Sequence, residues 1–107
     1  MKVINYSRVS TDEQAQHGYS LEDQQEKLPV FCERNGHSVV LDIDDNVSAK
    51  TFDRPGWKTL FEFVKKNRND VDLILVMRWN RFSRNVTQAL GMIEELKKYN
   101  VGSKRVL

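Results

Sequence analysis

Arg8 and Ser10 stand two residues apart in the stretch YSRVSTDEQ, residues 6–14, where a run of strand-forming residues gives out. A serine hydroxyl held beside a fixed positive charge is placed to attack a phosphate. The plainer reading of the same residues is a strand that ends and a turn that begins. A second group of candidates lies in VMRWNRFSRN, residues 76–85, where Arg78, Arg81 and Arg84 recur at intervals of three. A guanidinium is permanently charged and forks onto phosphate oxygens, so arginines gathered at one edge repel unless an anion or carboxylates neutralise them. By themselves these three read more simply as a solvated helical turn with ion pairs to Asp44, Asp45 or Asp53. Taken with Arg8, Ser10 and Arg54, which lie in other segments, they point to an anion site.

The elements that must position them follow from hydrophobic period and turn chemistry. KVINYS, residues 2–7, reads as a first strand. Ser20 has the form of an N-cap, with Asp23 three residues on as a weak capping box. Leu21, Leu28, Phe31 and Cys32 fall near one helical face, so a helix is expected from about 21 to 35, distorted at Pro29 and stopped by Asn35-Gly36. SVVLDI, residues 38–43, is the second strand, and DDNVSAKTFDR, residues 44–54, has no period and reads as a loop. Pro55 fits the first turn of the next helix, in which Trp57, Leu60, Phe61 and Val64 form a core-facing stripe. DLILVM, residues 72–77, has the near-continuous apolar character of a strand buried on both faces. A last helix is expected from about 86 to 100, with Leu90, Ile93 and Leu96 on one side. The interior of VGSKRVL, residues 101–107, is poor strand material.

The order β-α-β-α-β-α predicts an α/β fold, a three-layer, mainly parallel sheet with helices on both faces. In open sheets of this kind ligands bind beyond the carboxyl ends of the strands. RVSTDEQ, DDNVSAKTFDR and RWNRFSRN leave those ends, so the three polar segments should converge.

Composition narrows the functional classes. The 107 residues are 39% hydrophobic and 30% charged, which suits one soluble globular domain. A domain this size buries roughly two-thirds of its unfolded surface, enough for a core without disulfides. Net charge is +2, split into 5 Lys/Arg against 10 Asp/Glu in residues 1–53 and 12 against 5 in residues 54–107. A basic half is compatible with an anion-binding face and equally with solvated helix surfaces. Cys32, the single cysteine, falls among apolar residues and reads as a small core residue. No Cys/His set has metal spacing, so no metal is expected. No apolar run approaches the roughly 20 residues of a membrane helix, and MKVINYSR is no signal sequence, so a cytoplasmic protein without a membrane partner is expected.

No GxxxxGK[ST] loop is present and no GxGxxG follows the first strand, which disfavours nucleotide and dinucleotide sites. His17 and His37 have no serine or aspartate at a telling distance, so a histidine-assisted hydrolase is poorly supported. Serine with several arginines remains. Phosphoryl transfer can run on such a set, because its catalysis is mostly positioning and charge neutralisation.

The pieces YSRVSTDEQ, SAKTFDRPGW and VMRWNRFSRN, in that order, resemble the catalytic domain of the serine site-specific recombinases, the resolvase/invertase family. GYSLEDQ, residues 18–24, looks more like the large members and their transposon relatives. The resemblance implies DNA recombination through a serine that cuts DNA, becomes joined to its 5′ phosphate and leaves a 3′ hydroxyl, with no cofactor, metal or ATP. It also implies double-stranded DNA as partner and a homo-oligomer, dimer to tetramer, of the full-length protein. Residue by residue it makes Ser10 the nucleophile and Arg8 the catalytic arginine that contacts the scissile phosphate beside it. Arg81 and Arg84 become the pair that neutralises the phosphate and assists the leaving oxygen. Arg54 becomes a phosphate-side arginine, with Gln14, Ser48 and Arg78 as further polar or basic site residues. Tyr6 and Asp53 become supporting residues, and each has a structural alternative, Asp53 as a cap for the helix at Pro55.

Two departures stand out. Asn80-Arg81 occupies the place of the family's Asp-Arg, which removes a negative charge beside an arginine. The family's functional lysine has two candidates, Lys65 and Lys66. The family's catalytic domain continues into another strand, a long dimerising helix and a DNA-binding domain, so residues 1–107 read as a catalytic core truncated before them. A recombinase-like core disabled at Asn80, serving only as an anion- or partner-binding module, is the alternative.

Overall fold

The computed structural model describes residues 1–10, 20–47 and 51–106. Its elements are β1 (Lys2–Val9), α1 (Leu21–Arg34), β2 (Ser38–Asn46), α2 (Pro55–Lys66), β3 (Leu73–Val76), α3 (Trp79–Phe82), α4 (Val86–Lys97) and β4 (Gly102–Arg105). All pairings are parallel and the strand order is β2-β1-β3-β4. The fold is the expected α/β sheet with helices on both faces.

Strand alternation sorts the side chains of β1 onto two cores. Ile4 and Tyr6 join Trp57, Leu60 and Val64 of α2, Leu96 of α4 and Phe82. Val3 faces the other way, toward Leu28 and Cys32 of α1 with Leu75 and Met77. Ile74 and Leu75 of β3 divide between the same two cores, which is why that segment is apolar throughout. The chain steps from β1 outward to β2, then crosses back over β1 to β3. The sheet therefore has its switch point between β1 and β3, and their carboxyl ends open side by side.

Local signals account for the helix ends. Ser20 Oγ accepts the Asp23 N–H at 3.1 Å and Asn85 Oδ1 accepts the Gln88 N–H at 3.0 Å, each satisfying an orphan donor. Gly36, at φ +67°, takes the left-handed turn after α1. The helix runs unbroken through Pro29.

Several expectations need correction. β2 does not stop at Ile43 but runs to Asn46, because Asp44, Asp45 and Asn46 pair with Ser7, Arg8 and Val9 as β1 also runs on to Val9. A short α3 precedes the last helix. Leu90 is 59% exposed, whereas Leu96 is buried and Ile93 packs against the core as expected. Residues 102–105 form β4 in spite of their composition, pairing in full with Leu73–Val76. An edge strand needs only main-chain partners and flanking anchors, here the buried Val101 and the packed Val106.

Candidate active site at the carboxyl ends of β1 and β3

The last turns of β1 carry Tyr6 and Arg8, and Ser10 follows immediately beyond Val9, half-buried. Arg8 is wholly buried. Its Nε donates to the carbonyl of Arg81 at 3.0 Å, Nη2 to that of Asn80 at 2.6 Å and Nη1 to that of Val47 at 2.9 Å. One guanidinium thus ties the ends of β1 and β2 to α3, the element that leaves β3. Charge-assisted bonds to main-chain oxygens make a stiff junction, and the convergence expected of the three polar segments is realised through Arg8.

A second network lies on the α2 side. Tyr6 Oη donates to Asp45 Oδ2 at 2.7 Å and accepts from Arg54 Nη1 at 3.1 Å. Asp45 Oδ1 accepts the Gly56 N–H at 2.7 Å, and its Oδ2 accepts the Trp57 N–H at 2.9 Å. The carboxylate therefore caps α2 from the neighbouring strand, where a negative charge also suits the helix dipole. Arg54, the residue at the N-cap position, supplies no side-chain cap. It is fully buried, gives its Nε to the Thr51 carbonyl at 2.8 Å and lies over the Phe52 ring at 4.6 Å. Burial pushes the Tyr6 phenol well above its usual pKa and Arg54 pulls part of that back, so the hydroxyl stays a donor to Asp45. Gly56 is required by proximity: a Cβ there would lie 2.6 Å from the Asp44 carbonyl and 2.7 Å from Asp45 Oδ1.

Arg81 is fully buried and reaches the Arg8 carbonyl through Nη1 at 3.4 Å. Arg78 and Arg84, which flank α3, are exposed at the rim. Asn80 meets Arg8 through its main-chain oxygen. Asp53 neither caps α2 nor orients an arginine; it pairs with Lys58 at the surface, which holds its carboxyl below the usual value. Gln14, Ser48 and His17 lie outside the described residues. Trp57 is core, as expected, whereas Trp79 is 39% exposed and touches Phe82 edge-on.

Sequence reasoning missed two buried residues. In sequence Asp45 reads as an ion-pair partner or, loosely, as a strand-end aspartate, and the signal of its capping role is a carboxylate ten residues ahead of a helix whose own N-cap is an arginine. Gln24 gave no signal beyond its place in GYSLEDQ. It is 1% exposed and bonds the Arg8 main chain on both its N–H and its carbonyl.

Among the described residues, no cluster of His, Cys, Asp or Glu could hold a metal, and no helix is long and apolar enough to cross a membrane. A parallel sheet of order β2-β1-β3-β4, with a serine and buried arginines at its switch point, defines a doubly wound α/β domain. The chain matches the family described as Resolvase, N terminal domain, over residues 3–102, and it belongs to that family. It is similar to the N-terminal catalytic domain of TP901-1 integrase, with a TM-score of 0.87 and 26% identity over 99% of this chain and 77% of that one. The C-terminal catalytic domain of ISC1926 TnpA, an IS607-like serine recombinase, matches with a TM-score of 0.85 and 26% identity, over 100% of this chain and 68% of that one. A resolvase family site-specific recombinase from Streptococcus pneumoniae matches at 0.81 and 29%, over 99% and 72%. In sequence, the uncharacterized immunity region protein 3 of Bacillus phage phi105 is 40% identical over 62 residues, 57% of this chain and 76% of that protein.

Proposed function

We propose that this domain breaks and rejoins DNA strands with Ser10 as the nucleophile. Ser10 Oγ attacks the scissile phosphorus, an O–P bond to serine forms and the bond to the 3′ oxygen breaks. The serine proton is released and the 3′ oxygen takes one up. The 5′ phosphate stays on the protein, so bond energy is conserved for rejoining and the step calls for no hydrolysis of ATP. Arg81 and Arg84 neutralise the phosphate oxygens as charge builds, and Arg81 or Arg84 assists the leaving oxygen. Arg54, Arg78, Gln14 and Ser48 hold the phosphate and its flanking strand. Arg8 is the junction that fixes Ser10 against α3, and Tyr6 and Asp45 fix Arg54 and the start of α2.

The observation that carries this reading is the junction at Arg8, where three separate segments meet two residues from Ser10. Recombinase relatives at the level of the whole domain support the choice of DNA as substrate. Exchange of two duplexes needs several nucleophiles, so the working form is a homo-oligomer on double-stranded DNA. The test is formation of an SDS-resistant protein–DNA adduct on a nicked duplex carrying the recombination site. Ser10→Ala should abolish it with the fold unchanged, and an adduct that survives the substitution would remove Ser10 from its role.

A further inference from the structure

β3 pairs with β1 only from Val3 to Asn5, whereas β2 accompanies β1 as far as Val9. The pairing of β3 with β1 therefore ends short of Arg8. Arg8 presents its N–H and its carbonyl on one side, as a residue in a parallel strand does. A buried pair of this kind is costly if left unmatched. The carboxamide of Gln24 meets both. Its Oε1 accepts the Arg8 N–H at 3.1 Å and its Nε2 donates to the Arg8 carbonyl at 3.1 Å. The same Nε2 lies 3.3 Å from the carbonyl of Ser20, the residue that caps α1. A primary amide has the donor and acceptor of a peptide group, so one side chain stands in for the missing strand.

We infer that Gln24 is a positioning residue for Ser10, acting through the main chain of Arg8. This rests on the reading of Ser10 as nucleophile. Gln24 holds the strand end two residues before Ser10 and ties it to Ser20, the N-cap of α1. It also shares the Arg8 carbonyl with Arg81 Nη1, which couples the clamp to a phosphate-side arginine. The chemistry is exacting. Glutamate keeps the acceptor and loses the donor, methionine loses both, and asparagine is one methylene too short.

The test has two independent arms on the full chain. In the first, amide hydrogen exchange is followed by NMR. In the wild type the Arg8 amide should be protected like a paired strand amide. In Gln24→Met its protection should fall about tenfold or more, while Ile4 and Leu75 keep theirs. In the second, single-turnover adduct formation is measured at saturating DNA for the wild type, Gln24→Met and Gln24→Glu. The rate should fall by about tenfold to a hundredfold, the scale of a small misplacement of a reacting group, with DNA affinity unchanged. An unprotected Arg8 amide in the wild type would overturn the clamp, and so would wild-type cleavage in a variant that has lost Arg8 protection. If the wild type forms no adduct at all, the reading of Ser10 fails, and the clamp is decided by the exchange arm alone.

Discussion

Arg8 Nη2 donates to the main-chain carbonyl of Asn80 at 2.6 Å, and the neighbouring Nε takes the carbonyl of Arg81. The side chain at position 80 is thus not what joins α3 to β1. The departure from the family's Asp-Arg pair leaves the junction in place, which weakens the case for a disabled core.

Asn80→Ala is therefore expected to change stability by less than about 0.5 kcal/mol, as for other surface substitutions, and thermal unfolding checks it. Asn80→Asp should alter adduct formation by less than about fivefold, the reach of an exposed ion pair near 1 kcal/mol. A much larger gain would revive the reading of an impaired site.

Asp45 is the most heavily used carboxylate of the site, with Tyr6 Oη and two helix amides on it. Asp45→Ala should cost about 3 kcal/mol, because it strips a charged acceptor and leaves the Gly56 and Trp57 amides without it. The expected fall in Tm exceeds about 10 °C for a domain of this size. A variant that melts within a few degrees of wild type would show that α2 has another cap.

Gly56→Ala tests the close approach of α2 to β2. The added methyl meets main chain as well as the Asp45 carboxylate, so the helix start must shift. A loss of about 2 kcal/mol, the scale of overpacking, is expected in denaturant unfolding. Gly91, where a Cβ meets open space on an exposed helix face, is the control: Gly91→Ala should be neutral or stabilising.

The Tyr6 phenol has its pKa raised on folding by burial, offset in part by Arg54. A folded pKa above the unfolded one means that the folded state holds the proton more tightly. The contribution is complete below the unfolded value of about 10 and is lost as pH rises from there through the raised folded value. The Tm of the wild type should therefore fall more steeply than that of Tyr6→Phe above about pH 10. Parallel curves would contradict the shift.

Much of this arrangement was legible from period and punctuation. The apolar run before Arg78 marked a central strand, Ser20 and Asn35-Gly36 bounded α1, and Pro55 opened α2. The convergence of the Ser10, Arg54 and Arg81 segments followed from strand alternation alone. What escaped detection depends on partners distant in sequence. β4 has no strand propensity and exists because β3 offers a free edge. Asp44 to Asn46 read as loop because their pairing depends on how far β1 runs. Arg8, Arg54 and Arg81 read as members of an anion site, with a solvated helical turn as the alternative for Arg81, and nothing local shows that all three are fully buried. Their burial is sustained by main-chain carbonyls and by Tyr6, which no local pattern announces.

The central claim is that Ser10 becomes bonded to DNA. Its most direct test is to trap the adduct on a nicked duplex carrying the recombination site, digest protein and DNA, and locate the remaining nucleotide phosphate by tandem mass spectrometry. A 5′ phosphate attached to Ser10 is the predicted result. Attachment at Ser7, Ser83 or Tyr6, or an adduct of equal yield from Ser10→Ala, would contradict it.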